Sequence, residues 1–380
     1  MPICTAAGEQ RKGEINSRVT LSAAFWYDGA AERDFQERSN RRDRQGNTMA
    51  YREQWSERLA FYLMDVEQQH ETFARDVAQG LAAPQKTLPA KYFYDARGSQ
   101  LYEQICTLSE YYPYRAERDI LTTYAPEIYA AIGHVPLVEF GSGNAAKTRY
   151  LLTAYERAGR PFLYCPVDIS RTALEESAQK LLAEYAHLSI HAIHADFAGN
   201  PDVIRALRLE KKALAFFGSN LGNFTREESL AFLQGTAALM GLEDVFLLGV
   251  DLKKSLTLLL PAYDDAQGVT AAFNLNLLHR MNRELGANFH VPAFAHLALY
   301  NKEHGRIEMH LRSRWTQHVT IAKTAQTIYF TAGETIHTEN SYKYSIEDLH
   351  ALGRHAGLTL NRIWFDRQHY FVLGLFRRES

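Results

Sequence analysis

Glycine and acidic residues that could bind a ligand follow apolar segments in this 380-residue sequence. The segment LVEF is followed by Gly141 and Gly143, whose missing Cβ atoms would let a ligand approach the backbone closely. Lys147 stands where a helical pattern opens behind this turn, so free N–H groups of the helix start would point at the same ligand. A strand, a glycine-bearing turn and a helix start together predict a ligand site.

Polar side chains also follow the next three predicted strands. Asp168 ends the segment YCPVD, 25 residues after Gly143, where a carboxylate can accept both ribose hydroxyls of an adenosine. Asp196 and Phe197 follow the third strand and suit an adenine amino group and ring face, although Asp196 could instead cap a helix. Asn223 follows the fourth strand. Because the carboxyl ends of parallel strands share one edge of a sheet, these residues predict a single site.

The glycine turn alone leaves several functions open. Gly141, Gly143 and Ala146 also satisfy the loose GxGxxG/A pattern of a dinucleotide site, and Asp168 suits either NAD or S-adenosylmethionine. A nicotinamide-dependent dehydrogenase therefore stays as an alternative, as does a tight turn that binds nothing.

The elements that must position these residues alternate along the chain. Between residues 116 and 252, helical stretches separate the apolar segments LVEF, FLYCPVDI, LSIHAIHADF, KALAFFGSN and DVFLLGVDL, which predicts a parallel sheet with crossover helices. Residues 253–343 interrupt this pattern with a long helix and a strand-rich run, and a helix and a strand in 344–380 complete the sheet. We predict a Rossmann-like, doubly wound α/β domain from residues 116–252 and 344–380. A second α+β domain, formed by residues 60–115 and 253–343, would hold the substrate.

The N-terminal part has a different character. Residues 1–48 lack sustained periodicity and are rich in charged and amide residues in their second half, which predicts a disordered extension. Apolar spacing from about Trp55 to Leu81 predicts a helix, and the segment GSQLYEQICTL predicts a second, shorter one.

Composition and charge limit the class of partner. The formal net charge of -2 gives no overall attraction to nucleic acid or to an anionic membrane. No run approaches the roughly 20 apolar residues that a membrane-spanning helix needs. The cysteines Cys4, Cys106 and Cys165 are odd in number and far apart, which is typical of a reducing compartment. We therefore expect a cytoplasmic protein, monomeric, with a small-molecule partner.

Two pairs of histidines raise the question of a metal site. His191 lies near His194, and His310 lies near His318. Neither pair has a third ligand at a suitable spacing, so strand packing is the better interpretation and no metal is expected.

Several longer motifs resemble one family. The segments are LPAKYFYDARGSQLYEQIC, SEYYPYRAE, EFGSGNAAKTRYLL, GSNLGNF, LLGVDLKKS, AYDDAQGVTAAFNLNLLHRMNREL, RIEMHL and GETIHTENSYKYS. Together they resemble the histidine N-alpha-methyltransferases, from about residue 60 to the C-terminus. The resemblance implies a class I methyltransferase fold and S-adenosylmethionine as cofactor, with S-adenosylhomocysteine as product. It also implies trimethylation of the α-amino group of L-histidine to hercynine, the first step of ergothioneine biosynthesis.

The resemblance further implies roles for individual residues. The cofactor pocket would contain Tyr111, Gly141, Gly143, Lys147, Asp168, Asp196 and Phe197. Asn223 and Tyr263 would bind the α-amino-acid end of the substrate, and Tyr94 would lie near the reacting amine, with these three forming the catalytic set. Glu339 and Ser341 would bond the imidazole ring, and Met309 would line the side-chain pocket.

Two further alternatives remain. The same scaffold could methylate another aromatic amino acid, tryptophan or tyrosine, although an indole or phenol has less use for a buried anion at Glu339. The chain could also be a catalytically silent regulator that binds S-adenosylmethionine.

Overall fold

The computed structural model describes residues 51–63, 67–196, 204–205 and 207–379. The predicted extension over residues 1–48 and the predicted cofactor residue Phe197 lie outside these ranges. No described helix is both long enough and apolar enough to cross a membrane.

The described chain contains fifteen strands, which we number in chain order. They are β1 (Tyr51–Ser56), β2 (Leu59–Leu63), β3 (Lys86–Thr87), β4 (Leu137–Phe140), β5 (Phe162–Asp168), β6 (Leu188–His194), β7 (Ala213–Phe216), β8 (Val245–Asp251), β9 (Phe294–Asn301), β10 (Arg306–Ser313), β11 (Gln317–Ile321), β12 (Gln326–Phe330), β13 (Thr335–Tyr342), β14 (Leu358–Phe365) and β15 (Phe371–Arg378).

Nine α-helices separate or follow these strands in the described ranges. They are α1 (Glu67–Ala82), α2 (Ala96–Thr107), α3 (Tyr112–Ile132), α4 (Thr148–Arg157), α5 (Arg171–Glu184), α6 (Arg226–Leu239), α7 (Leu256–Leu259), α8 (Val269–Leu285) and α9 (Ile346–His355).

The large sheet has nine described strands in the order β1-β2-β6-β5-β4-β7-β8-β15-β14. The strands from β2 to β8 pair in parallel, whereas β1, β15 and β14 are antiparallel to their neighbours. From β4, the chain first adds β5 and β6 on one side and then returns to add β7 and β8 on the other side. The turn after β4 therefore lies where the direction of strand addition reverses. Ligands of doubly wound sheets bind at such a switch point, at the carboxyl ends of the strands.

Alternate residues of the buried strands pack on opposite faces of this sheet. Leu137 and Tyr164 belong to a cluster with helices α3, α4 and α5, whereas Val138 and Cys165 belong to a cluster with α6 and α9. Both faces are thus covered, which explains why these strands are continuous apolar runs. The predicted doubly wound α/β class is confirmed.

A third cluster of buried side chains joins helices α1, α2 and α8 to a four-stranded sheet of order β3-β13-β10-β9. The segments of this cluster come from residues 67–112 and 256–336, close to those predicted for a substrate domain. The predicted division of the chain into two domains stays a prediction.

The prediction of one helix from about Trp55 to Leu81 is wrong in its first part. Tyr51–Ser56 and Leu59–Leu63 form an antiparallel hairpin, and the helix begins only at Glu67. Strand β2 pairs in parallel with β6, so these residues extend the large sheet. Phe61 is fully buried in this position.

Candidate active site

The turn after β4 is bonded to the end of β5. Gly141 and Gly143 have φ angles of 64° and 52°, in the left-handed region that favours glycine. The Gly143 N–H donates to the Asp168 carboxylate at 2.8 Å, and the Ser170 N–H donates to its second oxygen, also at 2.8 Å. Open space lies where a Gly143 side chain would project. The turn therefore leaves its backbone accessible beside a carboxylate.

Asp168 and Asp196, at the ends of β5 and β6, line the same large cavity as this turn. Burial raises the pKa of Asp168, against the opposing effect of its backbone hydrogen bonds. The Asp196 carboxylate forms an ion pair with Lys91 at 3.1 Å. The two acids predicted for ribose and adenine thus lie along one cavity.

Lys147 also lines this cavity, but its ammonium group is bonded to the carboxylate of Glu117. Glu117 is fully buried on α3 and accepts the Gly218 N–H at 2.8 Å. A Cβ atom on Gly249 would lie 2.2 Å from a Glu117 oxygen, so the neighbouring strand needs glycine there. Glu117 connects the turn after β4 to the turn after β7.

Glu139 is a second buried carboxylate beneath the glycine turn. It accepts hydrogen bonds from Thr148 and Tyr164. Burial raises its pKa to about 7.

A smaller cavity adjoins the large one and collects the residues predicted for substrate binding. Among its lining residues are Tyr94, Tyr111, Asn223, Tyr263, Met309, Glu339 and Ser341. The two cavities share Tyr94, Tyr102, Gly218, Asn220, Asn223 and Glu339. Tyr111, predicted for the cofactor, lines the smaller cavity only, where its ring contacts that of Tyr263 with 6.2 Å between centroids.

Strand pairing brings Met309 and Glu339 together. Met309 on β10 is opposite Glu339 on β13, and the Thr338 hydroxyl donates to the Met309 carbonyl at 2.9 Å. Ser341 follows Glu339 at the two-residue period of a strand, so both side chains point to one face. Since this face borders the cavity, an acid and a hydroxyl are presented side by side.

The Glu339 carboxylate accepts no hydrogen bond from any described residue. Burial raises its pKa to about 7, and the positive charge of Lys343 opposes this rise. An acid that lines a cavity without a hydrogen-bond donor of its own is well suited to a donor on a ligand.

Tyr94 is positioned by the start of helix α2. Asp95 caps this helix by accepting the Gly98 N–H at 2.7 Å, and Asn276 donates to the same carboxylate oxygen at 2.8 Å. The Tyr94 ring meets the rings of Tyr102 and Phe273 edge-on, with centroids 5.6 and 5.9 Å away. Burial raises the pKa of Tyr94 far above its usual value, so its hydroxyl stays protonated at neutral pH.

Asn223 is held by a short 3-10 turn after β7. The turn spans Asn220–Asn223 and follows Gly218 and Ser219, both with positive φ. The Ser219 hydroxyl accepts the Asp251 N–H at 2.9 Å, which joins the turn to β8. The Asn223 amide lines both cavities and bonds to no other described residue.

A buried polar network lies behind Tyr263 and Ser341. Their hydroxyl oxygens are 2.7 Å apart, and the Lys343 ammonium donates to them at 2.9 and 2.8 Å, respectively. Lys343 also forms an ion pair with Asp251 at 2.8 Å. Tyr112 and Lys254 donate to the same Asp251 carboxylate.

Sequence reasoning missed Lys343 and Asp251, as well as Glu117 and the ring-bearing residues Tyr102 and Phe273. One signal was available for Lys343. Glu339, Ser341 and Lys343 are each two residues apart, with Lys343 directly after the end of β13, so a continued extended chain places Lys343 on the same side as Glu339.

Of the four histidines considered from the sequence, His310 has other polar side chains around it. His318 lies on β11, whereas His310 stacks on His337 with 4.7 Å between centroids and bonds to Glu308 at 3.1 Å. The side chains of Glu308, His310 and His337 together form a candidate metal-ligand group, and His318 of the pair considered from the sequence does not belong to it. Arg306 pairs with Glu308 at 2.6 Å, and hydrogen bonds from Arg306 and His310 help to lower the pKa of that carboxyl to about 2, against the effect of burial. An arginine on this carboxylate opposes the approach of a cation.

The chain is similar to known proteins over most of its length. The family described as "Histidine-specific methyltransferase, SAM-dependent" matches residues 73–378. A histidine N-alpha-methyltransferase of Mycolicibacterium smegmatis is 43% identical over 80% of this chain and 94% of that protein. One from Mycobacterium tuberculosis is 40% identical over 80% and 95%, respectively. Ergothioneine biosynthesis protein 1 of Neurospora crassa is 30% identical over 73% of this chain and 32% of that protein. The match to residues 73–378 and the two mycobacterial relatives show that this chain belongs to the histidine-specific, SAM-dependent methyltransferase family.

Proposed function

We propose that this protein transfers methyl groups from S-adenosylmethionine to the α-amino group of L-histidine and forms hercynine, the trimethylated product. One observation carries the proposal: the cavity that contains Glu339 and Ser341 shares the wall residues Asn223 and Tyr94 with the cavity that contains the glycine turn. A substrate bound at one end can thus meet a cofactor bound at the other. The sequence relatives named as histidine N-alpha-methyltransferases support the same substrate.

The larger cavity fits S-adenosylmethionine by the chemistry of its residues. Asp168 offers a carboxylate to ribose hydroxyls, Asp196 offers one to an adenine amino group, and the open backbone at Gly143 admits close approach. When bound there, S-adenosylmethionine supplies an electrophilic methyl group on a sulfonium. We assign this cavity to the cofactor.

Asn223 and Tyr263 are proposed to hold the carboxylate and amine of histidine. Both are neutral at physiological pH: the Asn223 amide does not ionise, and burial raises the pKa of the Tyr263 hydroxyl. Neutral partners fix the position of the amine without an adjacent anion that would keep it protonated. Alignment of the amine is the main contribution that the protein can make to an in-line displacement.

Tyr94 is proposed to act near the amine as a hydrogen-bonding group. Because its hydroxyl stays protonated at neutral pH, it orients the amine or a water molecule and does not remove the proton as an anion. The rings of Tyr94, Tyr102 and Phe273 surround this region, and aromatic faces attract a methylated ammonium. This environment suits successive methylations of one nitrogen.

Glu339 and Ser341 are proposed to select the imidazole ring. An imidazole carries two nitrogens that can bond to a carboxylate and a hydroxyl at once, whereas a phenol or indole leaves one of these partners without a bond. Met309 would pack against the apolar part of the side chain.

The proposal is tested by incubating the full chain with S-adenosylmethionine and each of the twenty amino acids, followed by mass spectrometry. We expect gains of one, two and three methyl groups on histidine alone. Methylation of tryptophan or tyrosine in place of histidine would keep the cofactor assignment and overturn the role of Glu339. No methylation of any amino acid would favour a silent binder of S-adenosylmethionine.

A further inference from the structure

We infer that Lys343 is a positioning residue that fixes the hydroxyl hydrogens of Tyr263 and Ser341, so that this pair offers the substrate a single hydrogen-bond donor. Lys343 itself lines neither cavity and is fully buried. It acts only through the two hydroxyls. The inference rests on the proposed function, since it concerns how that site recognises histidine.

The Lys343 ammonium group has a partner for each of its hydrogens. An ammonium has three N–H donors, and Lys343 directs them to Asp251, Tyr263 and Ser341 at 2.8, 2.9 and 2.8 Å. Each hydroxyl oxygen therefore accepts one hydrogen from Lys343. A buried lysine is held in its charged form by such a partner set, and the Asp251 carboxylate supplies the opposite charge.

The two hydroxyls together carry two hydrogens. Because their oxygens are 2.7 Å apart, one of these hydrogens lies between them. Lys343 cannot accept the other, since an ammonium is a donor only. One O–H therefore remains for the cavity, from either Tyr263 or Ser341 but not from both.

This single donor links the two ends of the substrate. When Ser341 donates to Tyr263, the Tyr263 O–H is free for the substrate carboxylate and Ser341 can accept an imidazole N–H. When Tyr263 donates to Ser341, the Ser341 O–H is free for an unprotonated ring nitrogen and Tyr263 has no hydrogen for the carboxylate. The hydrogen that Tyr263 and Ser341 share thereby couples recognition of the ring to recognition of the backbone end, and Lys343 holds the two hydroxyls in place.

The first test replaces Lys343 with methionine, an unbranched apolar side chain, in the full-length protein. We expect KM for histidine to rise by about tenfold or more, the scale of hydrogen bonds made by a charged group, with a much smaller change in kcat. Binding of S-adenosylhomocysteine should stay unchanged. The fall in kcat/KM at acid pH should also move to higher pH, because the Lys343 charge no longer lowers the pKa of Glu339.

A matched control is the Lys212→Met variant. Lys212 is also a buried lysine paired with an aspartate, Asp244, at 2.6 Å, and it lines neither cavity. It should lose stability while keeping the wild-type KM for histidine. A Lys343→Met enzyme that folds and keeps both the wild-type KM and the wild-type pH profile would overturn the inference.

A second test covers the case in which Lys343→Met does not fold. The variants Tyr263→Phe, Ser341→Ala and their double combination form a cycle for histidine binding. Each single variant keeps one O–H for the cavity, because the remaining hydroxyl no longer donates to its partner, whereas the double variant keeps none. If the pair shares one donor, the double variant should therefore raise KM by more than the product of the two single effects. Independent, multiplying effects would overturn the inference even though wild type methylates histidine. Failure of wild type to methylate histidine would instead overturn the proposed function, and the inference with it.

Discussion

Glu339 is the residue whose ionisation should be visible in the pH dependence of the reaction. Its pKa is raised from the usual value to about 7, so the carboxyl is mainly protonated at pH 6 and mainly ionised at pH 8. We expect kcat/KM for histidine to fall as pH decreases through about 7. The Glu339→Gln variant should lose this part of the pH profile and lose roughly 10- to 100-fold in kcat/KM for histidine, the value of a charge-assisted hydrogen bond.

Glu334→Gln is the control for this experiment. Glu334 is paired with Lys86 and lines neither cavity, so its loss should leave the profile unchanged. A Glu339→Gln enzyme with the wild-type pH profile and selectivity would show that another group selects the ring.

The hydroxyl of Tyr94 can be separated from its ring by the Tyr94→Phe variant. The hydroxyl forms no hydrogen bond with any described residue, so its removal leaves no unsatisfied protein partner. If it orients the amine or a water, kcat should fall by roughly 3- to 10-fold, the value of one neutral hydrogen bond. Initial rates across the pH range measure this, with Tyr150→Phe, outside both cavities, as control. An unchanged rate at all pH values would mean that the hydroxyl is not used.

At the scale of elements, the hairpin of β1 and β2 covers the edge of β6. Phe61 is fully buried there, so Phe61→Ala should lower the free energy of unfolding by about 3–5 kcal/mol, as large-to-small changes in a core do. The cavities lie elsewhere in the chain, so kcat at low temperature should change little. Chemical denaturation is the measurement, and Leu242→Ala, at a 67% exposed side chain, should cost far less. A cost below 1 kcal/mol would show that the hairpin adds little stability.

This hairpin also shows where sequence reasoning stops. The five apolar residues of LAFYL are compatible with a helix and with a strand, because a continuous apolar run shows no alternation of apolar and polar positions that would distinguish the two. Pairing with β6, which is more than a hundred residues away in sequence, decides between them. The strands from β4 to β8 were predicted correctly because glycines and acids mark their ends.

The residues of the smaller cavity depend on contacts across the chain. Motifs in the sequence identified Tyr94, Asn223, Tyr263 and Glu339, but no local pattern indicates that Lys343 lies behind Tyr263. That contact forms between residues 80 positions apart. Side-chain partners of this kind follow from the packed structure and not from local propensity.

For the whole molecule, the described residues that line the two cavities all fall within the range from Asp76 to Ser341. We therefore expect a chain that begins at Met49 to keep the kcat and KM of the full chain. Steady-state kinetics of the two proteins provide the comparison, and a chain that begins after Leu63, and thus lacks the hairpin, should be markedly less stable. A raised KM on removal of residues 1–48 would assign those residues a part in binding.

The wall that the two cavities share has a thermodynamic consequence. Gly218, Asn220 and Asn223 border both cavities, and the Glu117 carboxylate bonds both to Gly218 of this wall and to Lys147, which lines the larger cavity. A ligand that orders this wall from one cavity lowers the conformational entropy that is lost when a second ligand binds in the other cavity. Linkage then requires histidine to alter the affinity for S-adenosylhomocysteine by the same factor by which S-adenosylhomocysteine alters the affinity for histidine. Binding of either ligand would thus change the affinity for the other through the residues from Gly218 to Asn223.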